Sequence, residues 1–403
     1  EHYRSVGYTY TDGAFSAFPK YWAQPAVLPA AGLVSSATDM ARFMIAYLQD
    51  GRYGEARILQ AETVQRMRGT LYTPDPRLSG NAHGFYDFTD SGVWTIGHSG
   101  GAPDMTSLLL LLPDRNLGLF VAYNSEGSGG LTTQHLGFQR AFYDHYFPTP
   151  PAASLEPPAD FARRAGRFTG SYRITRSGYS TLEKVSGPFS EPKIVDTRQS
   201  TLLLTAPWGD WRFVEVEPLY FRQVDGEFAL VFHEDDRGRI THMSAGFIPQ
   251  FAFEKLSWYE TSGFNMILAG VCALLFLSAL VVALIRLVRR RRPGNDRVSS
   301  ARGARAADWI VLGISLLNLL FVMGTVLWGN PHPVFGVSLI YRLVLALPVL
   351  AAVLTVAAGV YTVLAWTDRF WGLAGRVHYT LATLAAVAFV WFLNYWNLLG
   401  WRF

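Results

Sequence analysis

Four apolar stretches towards the carboxy-terminal end limit what this chain can fold into more than any other feature. Residues 264–285, 309–328, 343–366 and 381–399 each approach the ~20 residues that an α-helix needs to cross the hydrocarbon layer of a bilayer. A backbone in lipid must satisfy its own N–H and C=O groups, so all four are expected as transmembrane helices. Half of the 403 residues are hydrophobic and the mean hydropathy is +0.15, which fits a chain lying partly outside water.

Arginines orient these spans. Arg286, Arg289, Arg290, Arg291, Arg292, Arg297, Arg302 and Arg305 lie between the first and second, whereas residues 329–337 hold no Lys or Arg. By the positive-inside rule the Arg286–Arg305 loop is cytoplasmic and residues 1–262 are extracytoplasmic, with Arg369 and Arg376 on the inner side as well. Trp258, Tyr259, Trp309, Trp328, Trp366, Trp371 and Trp401 fall near the interfaces as an aromatic belt. The net charge of +4 is therefore read as membrane topology, with a lipid bilayer as the partner and no nucleic acid. Arg342, Asn318, Asn394 and Asn397 are the polar residues noted within or beside the spans. They read more simply as snorkelling and interhelix hydrogen bonds than as a transport pathway. The single cysteine, Cys272, sits in the first span and excludes an intrachain disulfide.

Upstream, the chemistry gathers at Thr95 to Gly101, Thr-Ile-Gly-His-Ser-Gly-Gly. Trp94 and Ile96 alternate with smaller residues as in a half-buried strand, and the glycines leave the backbone bare. Two apolar runs follow, 105–112 and 117–123, separated by the turn residues Pro113-Asp114-Arg115-Asn116. Ser36 or Thr38 can cap a helix with an apolar face of Met40, Phe43, Met44, Tyr47 and Leu48. Residues 60–68 and 131–147 read as further helices, 7–18 as two short strands, and 72–86 as a polar loop over the cleft. Gly127-Ser128-Gly129-Gly130 lacks the lysine and spacing of a phosphate loop and reads as a strand-to-helix connection.

With these residues in view, the segment resembles the beta-lactamase-related serine hydrolases: class C beta-lactamases, penicillin-binding-protein-like enzymes and esterases. His98-Ser99-Gly100 matches the Lys-Thr-Gly or His-Ser-Gly triplet on the strand that walls the active site in that family. Residues 30–43 look like the family's segment entering a helix before that wall. The resemblance implies that Gly101 donates its N–H to an oxyanion hole, that His98 faces the nucleophile, and that Ser99 and Gly100 contact substrate. It implies a small-molecule or peptide substrate, with no cofactor and no metal. Asp104 stands where the family commonly has glycine. An imidazole is a poorer fixed cation than a lysine at neutral pH, which favours esters or peptides over efficient penicillin hydrolysis. The family's Ser-x-x-Lys and Tyr-x-Asn motifs have no counterpart before the wall strand, so the nucleophile is expected upstream of Glu1 and this segment alone is expected to be inactive.

Residues 148–160 are proline-rich and read as a linker. Residues 161–260 hold short strands with turns at Trp208-Gly209-Asp210, Asp225-Gly226 and Asp235 to Gly238, the pattern of a small antiparallel barrel or sandwich. Phe168-Thr169-Gly170-Ser171-Tyr172 resembles the opening of the lipocalin-like domain that follows such hydrolases. His233-Glu234-Asp235-Asp236 reads as a solvated hairpin turn rather than a metal site. The expected class is α+β: the carboxy-terminal part of a hydrolase domain over 1–147, the barrel over 161–260, and a membrane region over 264–400. Two other functions stay open at this stage, an inactive cell-surface binding module and a transporter or membrane scaffold.

Overall fold

The computed structural model describes residues 5–18, 28–89, 92–102, 105–125, 130–148, 155–207, 209–290, 302–329 and 336–403. Asp104, residues 127–129 of the glycine stretch and residues 149–154 of the proline-rich linker lie outside them. Two compact units form, Glu1–Arg176 with Ser190–Lys255, and Ser177–Phe189 with Leu256–Phe403. The architecture is mixed α and β, with an antiparallel sheet, an eight-stranded barrel and four long apolar helices.

In the first unit the sheet runs in the order β1 (Tyr86–Asp87), β2 (Ile96–Ala102), β3 (Met105–Leu112), β4 (Leu117–Tyr123), all antiparallel. The unbroken apolar run of β3 follows from burial on both faces. Leu109 and Leu111 pack with Met44 and Tyr47 of helix α1 (Ala37–Leu48). Leu108, Leu110 and Leu112 pack with Phe138 and Phe142 of a later helix, α3 (Gly130–Tyr146). The β3–β4 turn places Asn116 in the left-handed region at φ 48°, a conformation asparagine adopts at little cost. Ser36 caps α1 by accepting from Asp39 N–H at 3.1 Å. At its other end Arg68, from helix α2 (Ala61–Arg68), donates to the Tyr47 and Leu48 carbonyls. One expected core position does not hold: Phe43 is exposed, because the helix turns Met44 and Tyr47, not Phe43, squarely onto the sheet.

The strand-rich segment closes into a barrel of β5 (Gly170–Ile174), β6 (Lys193–Asp196), β7 (Leu202–Ala206), β8 (Gly209–Glu217), β9 (Tyr220–Gln223), β10 (Ala229–Glu234), β11 (Ile240–Ala245) and β12 (Ala252–Lys255). Each strand pairs with the next and β5 pairs with both β6 and β12. Closure removes the sheet edges. The interior is filled by aromatic rings, Phe168, Tyr172, Phe213, Phe221, Phe232 and Phe253, all buried. Phe232 lies within 4.9–6.1 Å of Phe168, Tyr172 and Phe221, ring centre to ring centre. Glu215, fully buried, is held by a bidentate pair with Arg164 at 2.6 and 3.1 Å and by the Leu219 N–H at 3.0 Å. His233 and Glu234 belong to β10 rather than to a turn, a correction to the sequence reading. The His233 ring stacks on His242 of β11 at 4.2 Å.

The second unit is built on α4 (Ser262–Arg290), α5 (Arg302–Trp328), α6 (Leu339–Val344), α7 (Leu347–Thr367) and α8 (Leu373–Tyr395). The helix α5 starts before the expected residue 309, and α8 before residue 381. Ala304 and Ala307, both buried, carry α5 back through a segment too polar to register as a span. The third span is broken at Leu345-Ala346, where Pro348 lacks the N–H that would continue the ladder. Four helices are long and apolar enough to cross a membrane.

Some polar residues inside this unit are partnered across elements. Asp308, absent from the sequence reading, is fully buried and pairs with Arg286 at 3.0 Å, whose guanidinium lies 4.5 Å from the centre of the Trp371 ring. Arg342 instead lies over Phe403 at 5.3 Å. The segment Ser177–Phe189 is anchored on the helices: Asn397 Nδ2 donates to the Tyr179 and Thr181 carbonyls at 2.9 Å. Leu182 is buried with Cys272 and Phe276, and Lys184 Nζ sits 3.9 Å over the Tyr395 ring.

Two outcomes follow. Phe232→Ala should cost about 3–5 kcal/mol, read by denaturant unfolding of the barrel. Burial, followed by repulsion from Arg77, holds His233 below the ordinary histidine range, with Asp75 opposing; burial and His233 do the same to His242. Both prefer to be neutral in the folded state, so stability is full above about pH 6.5 and is lost as pH falls through the lowered values. Melting temperature should drop between pH 7.5 and 5, and His242→Phe should flatten that drop.

Candidate active site

The arrangement around β2 follows from strand alternation. Phe88 N–H donates to the Thr95 carbonyl at 2.8 Å on the β1 side. In an antiparallel ladder successive residues turn their N–H and C=O to opposite neighbours. Thr95, Gly97, Ser99 and Gly101 therefore face the β1 side, while Ile96, His98 and Gly100 bond to β3. Strand β1 reaches only Ile96 and Gly97. Beyond its end, the N–H groups of Ser99 and Gly101 meet no backbone acceptor among the described residues, and Gly101 is exposed.

Two glycines of β2 are required by their neighbours. A Cβ at Gly97 would overlap the Leu109 carbonyl oxygen, and one at Gly100 would stand 2.5 Å from Ser107 Oγ. Gly101 is exposed, at the open end of the strand.

His98 is exposed and its ring stacks on Tyr86 at 4.7 Å with an interplanar angle of 25°. Its Nδ1 lies 2.6 Å from the Ser99 carbonyl. A carbonyl only accepts, so Nδ1 carries the proton and Nε2 takes no part in that bond. Ser99 is half-buried beside it. All four residues singled out in the sequence thus share one strand, with His98 and Gly101 on its exposed positions. Sequence reasoning missed Tyr86, the platform for His98; its only signal was an aromatic closing a polar loop.

The loop before Tyr86 is folded on itself and tied to the barrel rather than hanging free. Tyr72 and Asn81 exchange backbone hydrogen bonds at 3.1 and 2.7 Å, and Asn81 Nδ2 donates to the Pro249 carbonyl at 3.1 Å. Arg77 bonds Asp75 at 2.9 Å and Glu217 at 3.0 Å. These bonds hold the Asp75 carboxyl below the usual carboxylate range.

A Ser-x-x-Lys does occur at Ser190-Glu191-Pro192-Lys193. It is no nucleophile pair. Ser190 ends a 3₁₀ segment and Lys193 opens β6, so the two do not share the helix face that brings residues i and i+3 together.

Residues 1–141 match the family model described as Beta-lactamase. No curated protein sequence matches the chain. Similar solved structures include SurE, 22% identical over 62% of this chain and 56% of that one with a TM-score of 0.39. SurE with D-Leu is 21% identical over 55% and 50%, TM-score 0.34. An octameric penicillin-binding protein homologue from Pyrococcus abyssi is 17% identical over 62% and 53%, TM-score 0.28. The chain spans just over half the length of SurE.

Gly97→Ala should cost about 1–3 kcal/mol by forcing β2 from β3, whereas His98→Ala, at an exposed position, should stay within about 0.5 kcal/mol. Thermal unfolding of the two variants side by side separates the structural glycine from the residue free to serve chemistry.

Proposed function

From the beta-lactamase family match over residues 1–141, we propose that this chain supplies one wall of a serine acyl-transfer site, held at a membrane by its four apolar helices. The observation that carries the reading is the pair of N–H groups, Ser99 and Gly101, left open on the β1 side of β2. A developing oxyanion needs fixed donors directed at it from a rigid strand, and Gly101 offers one with no side chain in the way. His98 lies on the same strand with Nε2 available to accept from a tyrosine, a nucleophile or a substrate group. Ser99 and Gly100 would border the substrate. The balanced chemistry is acyl transfer: a serine Oγ attacks the carbonyl and loses its proton to a base, and the tetrahedral oxyanion collapses with expulsion of the leaving group.

In this proposal the serine lies outside residues 1–403, in a Ser-x-x-Lys, and residues 1–262 face away from the cytoplasm because the arginines gather at the α4–α5 connection. Substrates are esters, D-amino-acid peptides or beta-lactams.

Labelling of the natural gene product in its own membranes with a fluorophosphonate and a fluorescent penicillin tests this. A serine adduct outside residues 1–403, lost or slowed at least ~100-fold in His98→Ala, is expected. An adduct within residues 1–403, or none with either probe, overturns it. The 403-residue chain by itself should not hydrolyse a chromogenic ester above buffer.

A further inference from the structure

A cavity of about 200 Å³ opens between the loop at Arg77–Ser79, the Asp87–Thr89 stretch, α3 and the barrel wall. None of His98, Ser99, Gly100 or Gly101 lines it. Its walls are aromatic. Phe228 and Phe247 stack at 4.4 Å with their planes 28° apart, backed by Trp211, and Phe88 and Tyr220 complete the lining.

One polar group among these walls is left without a bond. Gln139 of α3 lines the cavity, is only 7% exposed, and its carboxamide has no hydrogen-bond partner among the described residues. An amide on the cavity wall with no protein partner is free to bond a molecule that enters. The charges around the cavity carry a sign. Arg77 is already matched by Asp75 and Glu217, while Asp87 and Glu227 also line the space. Asp87 accepts from Thr89 N–H and Oγ1 on one oxygen, and a carboxylate has capacity for more. Among the described residues Glu227 pairs with Arg222, at 3.7 Å. The uncompensated charge is negative.

We propose that this cavity binds a small amine bearing one apolar group, with a ring or short alkyl chain between the aromatic walls. The ammonium faces the Gln139 carbonyl oxygen and the Asp87 and Glu227 carboxylates. Aromatic faces attract a cation directly, and an anion of the same shape meets two carboxylates instead. The volume falls below the roughly 300–1,000 Å³ of drug-sized sites, so the ligand is a single ring or chain with its polar head. This site stands independently of the hydrolase reading, because no residue of the β2 wall takes part.

The test uses the full 403-residue protein in detergent, titrated by ¹⁹F NMR with 4-fluorophenethylamine and, separately, 4-fluorophenylacetate, against detergent alone. Saturable binding of the amine is expected, at least ~10-fold tighter than the acid, a difference of about 1.4 kcal/mol. Gln139→Leu keeps the volume and removes the amide, so it should weaken the amine about 5- to 10-fold without lowering the melting temperature. Glu227→Gln, at an exposed rim position, should narrow the amine-to-acid ratio with the fold intact. Equal binding of both probes, no saturable amine binding, or a titration unchanged in both variants overturns the proposal.

Discussion

In an antiparallel sheet a strand can bond to one neighbour only through every second residue, and the groups between must find another partner. That alternation governs the candidate site. β3 holds β2 through Ile96, His98 and Gly100, and the short β1 satisfies Gly97. The N–H groups of Ser99 and Gly101 are then left at an open edge. A longer β1 would close that edge, and a side chain at 101 would crowd it. The availability of these donors thus rests on one strand being two residues long.

The rigidity behind that edge comes from β3. Five consecutive leucines fill both sides of the sheet, against α1 on one face and α3 on the other. A wall buried on both faces is a rigid backing, which the proposed oxyanion role would need. Gly97 and Gly100 let β2 approach β3 closely, so two of the motif's glycines are needed for packing of the strand.

The barrel and the helical unit solve the same problem of unsatisfied backbone in different solvents. The barrel closes on itself and fills its interior with phenylalanine and tyrosine, which leaves its outer wall to meet the loop before Tyr86 and α3. The helices satisfy their backbone internally, and some of their polar side chains meet one another. Asp308 pairs with Arg286 near the arginine-rich connection, and Asn397 ties Ser177–Phe189 to the helices.

Much of this was legible beforehand, because the forces involved act over neighbouring residues. Hydropathy over twenty residues sets a membrane span, alternation sets a strand, and a serine before an amphipathic run sets the start of α1. The four spans, the strand pair after the motif, the strand-rich region as a small barrel or sandwich and the His98 to Gly101 stretch came from such local patterns. Only the tertiary structure decided that Tyr86 carries the His98 ring, that β1 ends short of Ser99, that Phe43 lies outside the core, that Asp308 is buried against Arg286, and that Gln139 lines an aromatic cavity. Each of these joins residues distant in sequence, and no periodicity records which distant partner folding will bring within hydrogen-bonding reach.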